Sequence, residues 1–315
     1  MTPLVIDCDP GQDDAVALML ALASAELEVL GVTVAAGNVG LEHTVPNALR
    51  VAEFADRSDL KVFAGCERPL RRPLEKAVRI HGAHGLHGLD LPAPRMAVQP
   101  AHATEFIVET ARARGDVTLC ALGPLTNVAM AFAKAPDIAR RLGQIVLMGG
   151  ARGGLIGGAW RGGNTNPVAE FNMFTDPDAA AVVFAGGAPI VQIGLDVTHK
   201  VLVTPERLLA LRDRGGRAGA AVAGMYDRPD RYAPERYGSD GLPLHDPCVI
   251  AYVLRPELFA GRHCNVMVET ESDLTRGQTV VDWWGRTGRP PNALVLDHVD
   301  VDGFFELLIE RLARL

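Results

Sequence analysis

The sequence predicts an α/β fold, with a mostly parallel central sheet and helices on both faces, from three observations. Short, near-continuous apolar runs recur through the first two hundred residues, glycine or acidic residues close each run, and longer helical patterns separate them. Strands read this way when helical crossovers bury both faces of a parallel sheet.

In chain order, "PLVID" (3–7) opens as a strand and "DDAVALMLALAS" (13–24) follows as a helix. "LEVLGVTVAAG" (27–37), "KVFAG" (61–65), "DVTLCALG" (116–123), "QIVLMGG" (144–150) and "APIVQIGLD" (188–196) repeat the strand pattern. Beyond residue 200 the pattern turns helical. "HCNVMVET", "QTVVDWW" and "NALVLDHV" read as later, antiparallel strands, and "DGFFELLIERLARL" closes as an amphipathic helix. Two long loops, about 66–100 and 151–169, have the length of binding loops or lids. With no repeat and no low-complexity tract, residues 1–315 are expected to form a single domain.

Composition narrows the function. A formal charge of −7 lacks the basic balance of a general nucleic-acid binder. The opening "MTPLVID" has no signal-peptide pattern, and no apolar stretch is long enough to span a membrane. Five scattered cysteines without CxxC spacing suit neither a disulfide framework nor a zinc site, so a reducing cytoplasm is the expected setting.

The chemistry concentrates in "VIDCDPGQDDAVAL", where Asp7, Asp9, Asp13 and Asp14 crowd the end of the first strand. Like charges at this spacing raise one another's pKa unless donors or a cation offset them. Asp13 and Asp14 could serve only as helix-start acids; Asp7 and Asp9 are left unexplained by that role. A hard, oxygen-preferring cation such as Ca²⁺ or Mg²⁺ accounts for the set. Ligands of parallel sheets sit at the strands' carboxyl ends, so this cluster, Gly37-Asn38, Gly123 and Gly149-Gly150 should share one crevice.

"DCDPGQDDAVAL" resembles the DxDxGxDD signature of the inosine-uridine preferring nucleoside hydrolase family. The resemblance continues in family order through "AAGNVG", "ALGPLTNVA", "VLMGG", "GGNTNPVAEFNMFTDPDAA", "GLDVTH" and "HDPCVIAYVL". It implies a nucleoside hydrolase-like fold with a Rossmann-like core and Ca²⁺-dependent cleavage of the bond between ribose C1′ and the base nitrogen. It further implies a homodimer or homotetramer.

Carried over by position, Asp9, Asp14 and Asp246 would be carboxylate ligands of Ca²⁺, joined by the main-chain carbonyl of Leu122, where the family often has threonine. Asp9 would also be the general base. Asp13, Asn38, Asn164, Glu170 and Asn172 would bind ribose, with Met148 beside the sugar. His245, next to Asp246, would assist the leaving base, and His81 of "HGAHGLHG" would reach it. Tyr232 and Tyr237 could stack on the base; Trp283 and Trp284 could form an aromatic wall.

Two rivals remain at the level of sequence. A haloacid-dehalogenase-type phosphohydrolase also begins with DxD, but Gly11 stands where that class has Thr or Val. A non-catalytic calcium- or nucleoside-binding module would need the same acids without turnover.

Overall fold

The structure is a computed structural model and describes residues 1–315 apart from Gly157, Gly158, Tyr232, Gly238 and Ser239. A nine-stranded sheet forms its centre. Its strands are β1 (Thr2–Cys8), β2 (Leu27–Val34), β3 (Val62–Ala64), β4 (Thr118–Ala121), β5 (Gln144–Met148), β6 (Ile190–Ile193), β7 (Phe259–Val268), β8 (Thr279–Asp282) and β9 (Ala293–Val299). They lie in the order β8-β7-β9-β6-β5-β4-β1-β2-β3. The longer helices are α1 (Gln12–Leu22), α2 (Leu41–Phe54), α3 (Ala103–Ala113), α4 (Thr126–Lys134), α5 (Pro177–Ala185), α6 (Pro205–Arg214), α7 (Gly216–Tyr226), α8 (Pro247–Leu254) and α9 (Val301–Leu312).

Pairing is parallel from β3 through β6, as the uninterrupted apolar runs predict. Successive residues face opposite sides: Leu4, Ile6 and Cys8 enter one buried cluster, while Val5 enters the other. Leu119 and Cys120, then Ile145 and Val146, divide in the same way. Each such aliphatic side chain, fully buried, contributes roughly 1.5–3 kcal/mol.

The late strands differ from expectation on one point. β7 pairs antiparallel with β8 and β9, but β9 also runs parallel to β6, so it joins the parallel and antiparallel parts. A strand's own sequence does not reveal which neighbour it meets. The expected strands also end early: β2 stops at Val34 and β4 at Ala121. The residues beyond, through Asn38 and Gly123, leave the ladder and build the crevice wall.

The long loops carry little regular structure. Residues 66–100 hold the short helix Val78–His81, and the loop after β5 contains a hairpin pairing Gly154–Ile156 with Ala159–Arg161. No helix among the described residues is long and apolar enough to cross a membrane.

The chain places β1 centrally, builds outward to β2 and β3, then returns to lay β4 on the other side of β1. This reversal opens a crevice at the carboxyl ends of β1 and β4, the usual ligand position in such sheets.

Candidate active site

Asp9, Pro10 and Gly11 turn the chain from β1 into α1, whose buried body fixes the turn from below. Asp14 reaches back over that turn: Oδ1 accepts from the Asp9 amide at 3.1 Å and Oδ2 from the Gly11 amide at 2.9 Å. The Gly11 bond satisfies a donor that the start of a helix would otherwise leave unpaired, and the Asp9 bond ties the strand end to that start. Asp9 Oδ2 accepts from the Asn38 amide at 2.6 Å, while its Oδ1 is buried without a hydrogen-bond partner. Glycine makes the space for this carboxylate. A Cβ at Gly37 would lie 2.1 Å from Asp9 Oδ2, and one at Gly123 would lie 2.3 Å from Oδ1.

Asp246 enters from the start of α8, and its ligand oxygen lies within 4.8 Å of those offered by Asp13 and Asp14. Asp13 Oδ1 is a second buried oxygen without a partner. Burial is the leading cause that pushes the carboxyls of Asp9, Asp13, Asp14 and Asp246 upward, Asp14 to about 6. Neighbouring acids add to the rise at Asp9, Asp14 and Asp246, while His245 opposes it at Asp13.

Two charges at the 4.8 Å limit repel by about 3–4 kcal/mol at an effective dielectric of ~20. The facing starts of α1 and α8 relieve part of this, at ~0.3–1 kcal/mol for each helix end. The balance favours a cation. An all-oxygen donor set with orphaned, buried carboxylate oxygens fits a hard divalent ion. The three converging acids are Asp13, Asp14 and Asp246, with Asp9 packed behind them against Asn38. Asp7 lies apart from them, bound by Thr33 Oγ1 at 2.6 Å and Asn127 Nδ2 at 2.8 Å.

A polar shelf stands beside the acids. Asn172 Nδ2 donates to the Leu122 carbonyl at 2.7 Å and the Met148 carbonyl at 3.1 Å, tying together the ends of β4 and β5. Glu170 accepts from the amides of Asn172, Gly150 and Met173, yet burial still pushes its carboxyl to about 7. Asn164 is exposed at the rim.

Asp13, Asp246 and this shelf line a cavity of about 630 Å³, with Asp9 and Asp14 outside its lining. His81, His199, Tyr226, Arg231, Tyr237 and His245 line the same cavity. His245 Nδ1 lies 2.8 Å from Thr198 Oγ1, and the rings of His199 and His245 meet edge to face at 5.7 Å. His81 Nδ1 accepts from the Gln12 amide at 3.2 Å, so its proton resides on Nε2. Burial pushes this imidazole down to about 4, and it stays neutral. The acid and amide groups suit a polyhydroxylated, cation-bound ligand, and the imidazole and phenol groups suit a planar heterocycle.

The family model for the inosine-uridine preferring nucleoside hydrolase matches residues 4–306. The chain belongs to that family. Over 313 residues this nucleoside hydrolase is 45% identical to the pyrimidine-specific ribonucleoside hydrolase RihA of Klebsiella pneumoniae, covering 99% of the chain and 98% of the relative. Its structure superposes on the purine-preferring ribonucleoside hydrolase of Gardnerella vaginalis with a TM-score of 0.88 at 33% identity, covering 99% of the chain and 98% of the other. The plant nucleoside hydrolase PpNRh1 gives 0.87 at 33%, covering 99% of each. The chain is therefore an N-glycosyl hydrolase.

Among the residues singled out from sequence, Asp13, Asn38, His81, Leu122, Met148, Asn164, Glu170, Asn172, Tyr237, His245 and Asp246 all line the cavity of the nucleoside hydrolase. Tyr232 lies outside the described residues. Trp283 packs under Arg152 and Trp284 is 75% exposed; neither lines the cavity. His84, in the same loop as His81, meets the His43 ring edge to face and does not line the cavity. Gln12, Thr198, His199, Tyr226 and Arg231 were not assigned from sequence. Thr198 and His199 lie inside the "GLDVTH" block, and Gln12 lies between the acids of the first motif.

Proposed function

We propose that the chain is a calcium-dependent ribonucleoside hydrolase that acts best on pyrimidine nucleosides, uridine and cytidine, releasing free base and ribose. The observation that carries this reading is one cavity that brings acids and amides together with imidazole and phenol groups, beside a cluster of three carboxylates. Pyrimidine preference rests on the higher identity to the pyrimidine-specific relative, 45% against 33% for the purine-preferring one. Residues 1–315 act as one domain in this reading, in a cytoplasmic homodimer or homotetramer.

Asp9, Asp14, Asp246 and the Leu122 carbonyl would hold the calcium ion. When bound, calcium supplies positive charge that gathers a water and the ribose diol and lowers the pKa of that water.

The residues of the chain divide the remaining work. Asp13 accepts a hydrogen bond from a ribose hydroxyl, and Asn38, Asn164, Glu170 and Asn172 fix the rest of the sugar; amides suit hydroxyls that both donate and accept. Asp9 takes one proton from water at Oδ1 as the water oxygen bonds to C1′. The C1′–N bond breaks through an oxocarbenium-like sugar, which the surrounding carboxylates favour. His245, its ring set by Thr198, gives a proton to the departing base nitrogen. Neutral His81 donates a hydrogen bond to the base from Nε2. One water is consumed; one neutral base and one ribose leave.

The test is ribose release, followed by a reducing-sugar assay on uridine, cytidine, inosine and adenosine, with and without chelator. Chelator-sensitive release that is fastest for the pyrimidines is the expected result. Release from none of the four overturns the reading.

A further inference from the structure

We propose that Gln12 is a positioning residue for the base end of the cavity, clamping the "HGLHG" turn and the end of α7 onto the acid turn. The inference deepens the ribonucleoside reading above and rests on it.

Gln12 is the first residue of α1 and is buried. Its side-chain Nε2 donates to two main-chain carbonyls from different parts of the chain, His87 at 2.7 Å and Met225 at 2.9 Å. Two acceptors match the two protons of a carboxamide nitrogen, which fixes the orientation of the amide. The backbone amide of the same residue donates to His81 Nδ1. Gln12 therefore bonds three ways: into the side chain of His81, three residues before the turn, into the turn itself at His87, and into the last turn of α7.

A second feature marks the same junction. Gly88, with φ +83°, lies against the end of α7, where a Cβ would come within 3.0 Å of the Gly224 carbonyl and of Met225 Cα. Gly11 likewise leaves room for the His81 ring, since a Cβ there would lie 2.6 Å from Nδ1. The turn and α7 touch backbone to backbone, with Gln12 bonded to both.

The two segments that Gln12 clamps each carry a cavity residue, His81 three residues before the turn and Tyr226 beside Met225, whereas Asp13, a sugar contact, is held by α1 itself. The sugar contacts have separate supports, with Asp14 accepting from the Asp9 and Gly11 amides and Glu170 from the Gly150 and Asn172 amides. Removing the Gln12 donors therefore loosens the groups that face the base and leaves the sugar site intact. Nucleoside binding weakens; binding of ribose alone does not.

The experiment compares wild type, Gln12→Met (similar length, no donor) and Gly88→Ala, which disturbs the junction from the opposite side. In both variants the expected outcome is a KM for uridine about tenfold higher, kcat within about threefold, and the inhibition constant of D-ribose within about twofold. A ribose constant that rises in parallel with KM overturns the proposal, because the acid turn itself has then been damaged. Wild-type turnover with KM unmoved in both variants overturns it as well. Absence of ribose release by the wild type is distinguishable from either, and overturns the ribonucleoside reading together with this inference.

Discussion

Thr198 Oγ1 lies 2.8 Å from His245 Nδ1, and this contact sets the rotation of the imidazole that closes the base end of the cavity. Thr198 ends the short helix Leu195–Thr198, which follows β6, so strand ends support the base side of the site as they do the acid side.

Thr198→Val keeps the shape and removes the hydroxyl. The kcat/KM for uridine should fall about tenfold, against roughly 10²–10⁴ for His245→Ala. With p-nitrophenyl riboside, whose leaving group needs no proton, both losses should shrink to a few-fold. Equal losses on the two substrates would remove His245 from leaving-group catalysis.

Gly123→Ala places a methyl where Asp9 Oδ1 now sits, 2.3 Å away. The carboxylate must rotate, and kcat should drop about 100-fold or more while the far-UV circular dichroism spectrum stays that of the wild type. A fully active Gly123→Ala enzyme would show that the position of Asp9 is not required.

Calcium should raise the melting temperature of the protein, because the ion offsets repulsion among the buried acids. Asp14→Asn and Asp246→Asn should abolish that shift. Asp9 and Asp13 can be told apart in the same assay: Asp9→Asn should lose both the shift and turnover, whereas Asp13→Asn should keep most of the shift and raise KM. A retained shift in Asp9→Asn, with loss in Asp13→Asn, would exchange their roles.

Glu170 gives a pH signature. Burial raises its carboxyl from 4.5 to about 7, so between these values the unfolded chain releases a proton that the folded chain keeps. The unfolded state then binds fewer protons, and the group's contribution, fully present below pH 4.5, is lost as pH rises toward 7. In calcium-free protein, Glu170→Gln should flatten the fall in unfolding free energy by on the order of 3 kcal/mol across that window, measured by urea titration. An unchanged slope would place the carboxyl in its ordinary range.

Much of the acid end was legible because its signals are local. Asp9, Asp13 and Asp14 lie within six residues, and a strand that runs into a helix start forces them to one end of the sheet. The base end was less legible. His81, Tyr226 and His245 come from three distant segments, and neither apolar periodicity nor charge pattern marks an imidazole that faces a cavity rather than solvent. Gln12 was passed over because a glutamine between acids carries no pattern of its own; its partners are carbonyls 75 and 213 residues away.

The sequence by itself determined the layered α/β architecture, the family and the gathering of carboxylates at the strand ends, since each depends on periodicity and on neighbours along the chain. Only the tertiary structure decided that Asp13 converges with Asp14 and Asp246, that β9 runs parallel to β6, and that Thr198 and Gln12 orient the two imidazoles. Those relations arise from packing between remote segments, where a hydrogen bond or a shared charge depends on distances that the order of residues does not contain.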